Sequence, residues 1–237
     1  MKKPYNPATE KPYFIDEEGA RNYDYDNTIR YLQHRGRLKF GKHFRIHKED
    51  LTIISKLVVY FTKCENFYEK YSIDPDKGIL LSGPIGCGKT SLMTLMTDFT
   101  FEVNHFFIRS TRAVAAEFHE EGYQTLQKYS NNPKIYCFDD LGVEQNMKYY
   151  GNECNTIAEI LLNRYELMVR QGYVTHATTN LSASDLEAIY GNRLRSRMRE
   201  MFNLISFPND TPDKRKWTLF FNQNLKSWKS KTSSNSH

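Results

Sequence analysis

The sequence predicts an α/β fold of three layers, a parallel sheet between two sets of helices, and three observations carry that prediction. From Lys77 onward, short apolar runs alternate with amphipathic segments, the pattern of strands joined by crossover helices. One run, Gly78-Ile79-Leu80-Leu81, leads into Gly83-Pro84-Ile85-Gly86-Cys87-Gly88-Lys89-Thr90, which fits G-x-x-x-x-G-K-[ST] in full and opens a helix at Thr90-Ser91-Leu92-Met93. Another, Ile135-Tyr136-Cys137-Phe138, ends in the paired acids Asp139-Asp140.

In chain order, residues 1 to about 26 hold Pro4, Pro7 and Pro12 with mixed charge and read as a loosely held arm. A helical pattern then runs from about Glu49 to Tyr71, with Leu51, Ile54, Leu57, Val58 and Phe61 on one stripe. The expected strands are Gly78 to Leu81, His105 to Ile108, Lys134 to Phe138, Tyr173 to Ala177 and Asn203 to Phe207. Between them the clearest helix, Thr156 to Arg170, carries Ile157, Ile160, Leu161, Leu167 and Met168 on one face and stops at Gly172. A further helix opens on the capping box Ser184-Asp185-Leu186-Glu187. The expected organisation is an N-terminal basic arm over 1–48, a core over 49–208 including the leading helix, and a basic tail over 209–237.

Composition narrows the class. Mean hydropathy is −0.67, and no apolar run approaches the ~18 residues of a membrane span. Met1-Lys2-Lys3-Pro4-Tyr5 leads into no apolar segment of the secretory kind, so the expectation is a cytoplasmic protein with no membrane partner. The 4 cysteines (Cys64, Cys87, Cys137, Cys154) form no C-x-x-C pair and read as reduced thiols. The net charge of +5 is concentrated at the two ends. Between Asp26 and Glu49 there is no acid, yet Arg30, Arg35, Arg37, Lys39, Lys42, Arg45 and Lys48 fall there beside Tyr31, Phe40 and Phe44. That segment reads as a DNA contact, a docking surface for a protein, or a solvated face.

The glycine-rich motif specifies a phosphate site. Its glycines let successive backbone N–H groups wrap phosphate oxygens, and the helix N-terminus adds partial positive charge. Gly83, Pro84, Ile85, Gly86, Cys87, Gly88, Lys89, Thr90 and Ser91 are the expected nucleotide-binding residues. Lys89 should reach the β and γ phosphates, and the Thr90 hydroxyl should ligate Mg²⁺. Asp139 and Asp140 fall at the carboxyl edge of the sheet, where such folds bind ligands. Asp139 is assigned to Mg²⁺ and Asp140 to orienting the attacking water, with an N-cap or solvated acid as the alternative for Asp140. Cys87, within the loop, reads as a small packed side chain or an oxidation-sensitive thiol.

Taken together, the motifs resemble the AAA+ ATPases, and within them the group of DnaC-type helicase loaders and IstB-type transposition helpers. The resemblance spans about Lys77 to Phe207. It rests on Lys77-Gly78-Ile79-Leu80-Leu81-Ser82-Gly83, Phe138-Asp139-Asp140-Leu141-Gly142, Asn163-Arg164-Tyr165-Glu166, Thr178-Thr179-Asn180-Leu181, and Tyr190-Gly191-Asn192-Arg193 running into Ser196-Arg197-Met198. It implies an ATPase using ATP and Mg²⁺, with Asn180 sensing the γ phosphate and Arg197 completing the site of a neighbouring subunit in an ATP-dependent homo-oligomer. Implied partners are a replicative helicase or a transposase, and single-stranded or duplex DNA.

Helical periodicity puts Leu194, Met198 and Met201 on one apolar face, flanked by Arg193 and Arg197 on one side and Arg195 and Arg199 on the other. Arg164 lies near the apolar stripe of its own helix and reads as structural. The chain departs from the general family pattern in carrying Asp140 where Glu is usual. Against the family it also implies a reduced C-terminal lid, with Arg215 as the candidate second sensor. The favoured reading is a helicase loader. The alternatives are a transposition helper, a P-loop small-molecule kinase, and a binding module that uses ATP only to assemble.

Overall fold

The computed structural model describes residues 5–15, 17, 21–100, 104–144, 147–149 and 152–215. The expected tail beyond residue 215, with both tryptophans, lies outside the described residues.

Strands β1 (Tyr13–Ile15) and β2 (Arg21–Tyr23) form an antiparallel pair in which Tyr13 faces Tyr23. Tyr23 reaches the Phe99 ring at 5.8 Å, and Tyr5 and Tyr23 both pack against the core. The described residues of the N-terminal arm are thus fastened by aromatic contacts, where proline content alone suggested a loose segment.

Helix α1 (Tyr25–Phe40) starts at Asp24, whose carboxylate accepts the Asn27 N–H at 2.8 Å, and stops at Gly41. Its residues Thr28, Tyr31, Leu32 and Gly36 recur at helical spacing and are buried. Part of the basic N-terminal segment is therefore a packed helix. The leading helix is shorter than its periodicity suggested. It runs as α2 (Leu51–Phe61), then breaks where the Thr62 hydroxyl returns to the Val58 carbonyl and Lys63 takes a positive φ of 53°, and a one-turn helix, α3 (Tyr68–Tyr71), follows.

The next elements are β3 (Gly78–Ser82), α4 (Lys89–Met96), β4 (Phe106–Ser110), α5 (Thr111–Glu121), α6 (Tyr123–Ser130), β5 (Ile135–Leu141), β6 (Met147–Tyr149) and β7 (Asn152–Cys154). The chain continues with α7 (Thr156–Gln171), β8 (His176–Thr179), α8 (Ala183–Met201) and β9 (Phe202–Ser206). Strands β6 and β7 form a small antiparallel pair. The other five make one sheet, order β4-β5-β8-β3-β9, parallel throughout.

Alternation along the strands builds the two core layers. Ile79, Leu81, Ile135 and Cys137 join residues of α1, α2 and α4 on one face, while Leu80, Tyr136 and Phe138 join α7 and α8 on the other. This is the expected three-layer α/β arrangement.

Helix α7 ends at Gly172 in the left-handed region, as its sequence predicts. Helix α8 starts two residues earlier than the predicted box. Ser182 accepts the Asp185 N–H, and the Asp185 carboxylate accepts the Ser182 N–H, so the box is Ser182 with Asp185 rather than Ser184 with Glu187. Gly191, at φ 80° and ψ 159°, interrupts α8 in a conformation that a side chain would strain. Beyond it, Leu194, Met198 and Met201 are buried on the predicted face.

Candidate nucleotide site

The loop between β3 and α4 opens onto a cavity of about 620 Å³ at the carboxyl edge of the sheet. Ile85, Gly86, Cys87, Gly88, Lys89, Thr90 and Ser91 line it. Gly83 and Pro84 contribute through their carbonyls, which accept from Lys89 Nζ at 2.8 and 3.0 Å. Lys89 is 5% exposed, so its ammonium is held inside the loop. Two glycines have positional reasons. Gly88 precedes α4 at φ 107°, and Gly86 at φ 79° lies so close to Asp213 that an added Cβ would stand 1.9 Å from its carboxylate.

The acids at the end of β5 differ in setting. The Thr90 hydroxyl lies 3.0 Å from each carboxylate oxygen of Asp139, and Thr178 donates to the same carboxylate at 2.7 Å. Burial pushes the Asp139 carboxyl above its ordinary range, and the charge of Asp140 adds to this, while the Thr178 and Thr90 hydrogen bonds and the Lys89 charge oppose it. Asp140 lines the cavity in the left-handed region at φ 62°. The backbone there is held on both sides: its N–H donates to Thr178 Oγ1 at 2.9 Å, and its carbonyl accepts from Thr111 at 2.8 Å. The irregular register of β5 against β8 falls between Phe138 and Leu141, the stretch that carries both acids. Asn180, just past β8, lines the same cavity.

Mg²⁺ fits these residues. A hydroxyl and a carboxylate already within contact of each other are a hard oxygen donor set of the kind the ion takes beside phosphate. The cavity also suits a polyphosphate, since Arg45, Lys89, Lys214 and Arg215 line it against the acids Asp50 and Asp140.

The chain matches no protein-family model and no curated protein. Among solved structures it is similar to the DnaC helicase loader, at 20% identity over 70% of this chain and 93% of that one, with a TM-score of 0.49. It is also similar to DnaI, at 19% identity over 70% and 88% with a TM-score of 0.49. A third likeness is to AMPPCP-bound DnaA from Aquifex aeolicus, at 14% identity over 91% and 57% with a TM-score of 0.45. At this level of likeness, the roles of this chain's residues rest on their own geometry.

Arg197 is absent from the cavity lining. Its guanidinium lies over the Tyr165 ring at 4.2 Å, on the kinked part of α8. Arg164 is fully buried and donates only to Thr175 Oγ1 and to backbone carbonyls, a structural role in keeping with its position on the apolar stripe. Cys87 packs in the core, and burial pushes its thiol up, which favours the packed-side-chain reading over a reactive thiolate.

Sequence reasoning missed one wall of the cavity. Phe40, His43, Phe44, Arg45, Ile46 and His47 form it, and buried Asp50 below them is paired with Lys214. The Lys214 N–H also donates to the Gly86 carbonyl at 3.0 Å, so this strand of chain crosses the phosphate loop. Arg215, singled out in the sequence, lines the cavity and pairs with Asp213 at 3.0 Å. Thr178, which bridges the two acids, was visible in the Thr178-Thr179-Asn180 motif but had no role there.

Proposed function

We propose that this chain is an AAA+ ATPase that binds ATP with Mg²⁺ in the cavity, hydrolyses it, and acts in DNA replication as a loader of the replicative helicase. The observation that carries the ATPase part is the meeting of Thr90 and Asp139 beside the enclosed Lys89 ammonium. In this reading the loop N–H groups and Lys89 bind the β and γ phosphates, and Lys89 exchanges the Gly83 and Pro84 carbonyls for phosphate oxygens. Thr90 and Asp139 hold Mg²⁺, which when bound neutralises charge on the β and γ oxygens. Asp140 accepts a hydrogen bond from the attacking water and Asn180 donates to the γ phosphate. Water adds to the γ phosphorus as its bond to the bridging oxygen breaks, giving ADP and phosphate.

Arg197, which does not line its own cavity, is assigned to the site of an adjacent subunit. The sequence resemblance supports the group of helicase loaders and transposition helpers. The resemblance equally admits a transposition helper that binds duplex DNA.

The test is ATP turnover by the full chain, with Lys89→Ala as control, over a range of protein concentrations and with single-stranded or duplex DNA. Turnover that rises faster than linearly with protein, and further with single strands, supports the loader. Stimulation by duplex with filament formation favours the helper. Turnover linear in protein and indifferent to DNA overturns both and points to a self-sufficient site such as a kinase.

A further inference from the structure

The acid-free stretch between Asp26 and Glu49 divides, in the structure, into cations that are paired and cations that are not. Arg35 pairs with Asp98 at 2.7 Å, and Lys39 approaches the same carboxylate at 3.5 Å. Asp98 is the one acid that forms an ion pair with a lysine or arginine of this segment among the described residues. Arg30, Arg37, Lys42, Arg45 and Lys48 remain exposed, and none of them has an ion pair among the described residues. Arg30 and Arg37 stand seven residues apart on α1, so they share a helix face.

The loop that follows is built rather than loose. The Gln33 amide donates to the Phe44 carbonyl at 2.8 Å and accepts the Ile46 N–H at 2.9 Å. Phe44 lies directly over Gly36, where a Cβ would meet its ring at 2.1 Å, and it contacts the Phe40 ring at 5.5 Å. Lys42 and Lys48 are therefore presented from a fixed support, beside the exposed Leu38 and Phe40.

Five exposed cations with no ion pair among the described residues, of which Arg45 donates to the carbonyls of Lys42 and Phe44, in a stretch with no acid and with Phe40 exposed, are complementary to a polyanion that carries flat bases. We propose that this surface, formed by Arg30, Arg37, Lys42, Arg45 and Lys48, is the contact for the phosphodiester backbone of nucleic acid. The inference rests on the reading above and deepens it by naming the cations of this segment that make the nucleic-acid contact. An acidic protein surface is the other polyanion with the charge to fit, and it is decided by the same experiment.

The experiment measures fluorescence anisotropy of labelled 30-nucleotide single-stranded and duplex DNA with the full chain, without nucleotide, across a range of salt. The variant carries Arg30→Gln, Arg37→Gln, Lys42→Gln and Lys48→Gln; Arg45 is left in place because it also lines the cavity. Binding of a fluorescent ATP analogue by the same variant reports that it is folded. The expected result is DNA binding weakened roughly tenfold or more at moderate salt. The log–log salt slope should shrink by about 0.7 for each charge that touches a single strand. Unchanged affinity and slope with both DNAs overturns the proposal and leaves the surface to a protein. Failure of wild type to bind the ATP analogue would count against the nucleotide reading alone, because the DNA measurement contains no nucleotide.

Discussion

The Thr90 hydroxyl stands 3.0 Å from both carboxylate oxygens of Asp139, joining the first turn of α4 to the end of β5. The two residues lie 49 positions apart in the chain, and parallel strand order brings them together. Asp139→Asn keeps the shape and the Thr178 contact but removes the charge that would hold Mg²⁺. The expected outcome is turnover lower by about 100-fold or more, the scale of losing one electrostatic contact to developing charge. ATP binding should weaken far less. Steady-state hydrolysis together with equilibrium titration of a fluorescent ATP analogue separates the two effects; full turnover in Asp139→Asn would remove Asp139 from the metal site.

His176 gives a pH dependence to stability. It is buried between Tyr60, Phe61 and Phe106, and its Nδ1 accepts the Ile79 N–H at 3.1 Å. Burial pushes its imidazole down from 6.5 to about 3, so it stays neutral in the fold while the unfolded chain takes up a proton. Its contribution is complete above pH 6.5 and declines as the pH falls from 6.5 toward 3. The slope is about 1.4 kcal/mol per pH unit, which amounts to roughly 3 kcal/mol two units below the unfolded value. Urea unfolding at a series of pH values should show a steeper loss for wild type than for His176→Gln in this window. Parallel curves would show that His176 titrates alike in both states.

The phosphate loop and the paired acids were legible because their geometry is encoded locally. Glycines at fixed offsets specify positive φ, and an apolar run ending in acids specifies the edge of a strand. The five strands of the sheet were legible for the same reason, since each is a short run punctuated at both ends, but the one expected over Tyr173 to Ala177 lies later, at His176–Thr179. Contacts between distant residues of ordinary type were not. Asp50 and Lys214 are separated by 164 positions, and neither differs in sequence from a solvated surface charge. Thr178 bridges the two acids at the stretch where β5 shifts register against β8. Around Ser182 two capping patterns overlap, and the sequence holds no signal that chooses the earlier one.

Arg164 holds α7 against the chain entering β5 and β8 through five hydrogen bonds. Its Nε donates to Thr175 Oγ1 at 2.6 Å, and its two terminal nitrogens donate to the carbonyls of Tyr129, Asn132, Lys134 and Val174 at 3.1 to 3.2 Å. Burial lowers its pKa to about 10, which leaves it charged at neutral pH. Arg164→Met removes the donor to four carbonyls, that of buried Tyr129 among them, and the expected cost is about 3–5 kcal/mol, the scale of losing several hydrogen bonds to a buried charged group. For a chain of this size each kcal/mol moves Tm by roughly 2–4 °C, so calorimetry should register a fall of about 6 °C or more. A Tm within about 2 °C of wild type would mean that the carbonyls find other donors.

Arg197 lies over Tyr165 at 4.2 Å, and the Tyr165 hydroxyl donates to Glu200 at 2.7 Å. The ring thus orients the guanidinium on a helix that Gly191 interrupts. If this arginine serves a neighbouring subunit, its loss and the loss of Lys89 damage different sites. Arg197→Ala alone should lower turnover by about 1,000-fold or more, the usual worth of such a finger. Lys89→Ala alone should be inactive. Mixed in equal amounts, the two inactive variants should regain hydrolysis, because a Lys89→Ala subunit still offers Arg197 to an Arg197→Ala subunit whose own loop is intact. Recovery should appear only at protein concentrations where wild-type turnover is itself cooperative. A mixture as inactive as its components, from variants that still bind the ATP analogue, would place Arg197 with Tyr165 as packing and would leave the shared-site reading without its arginine.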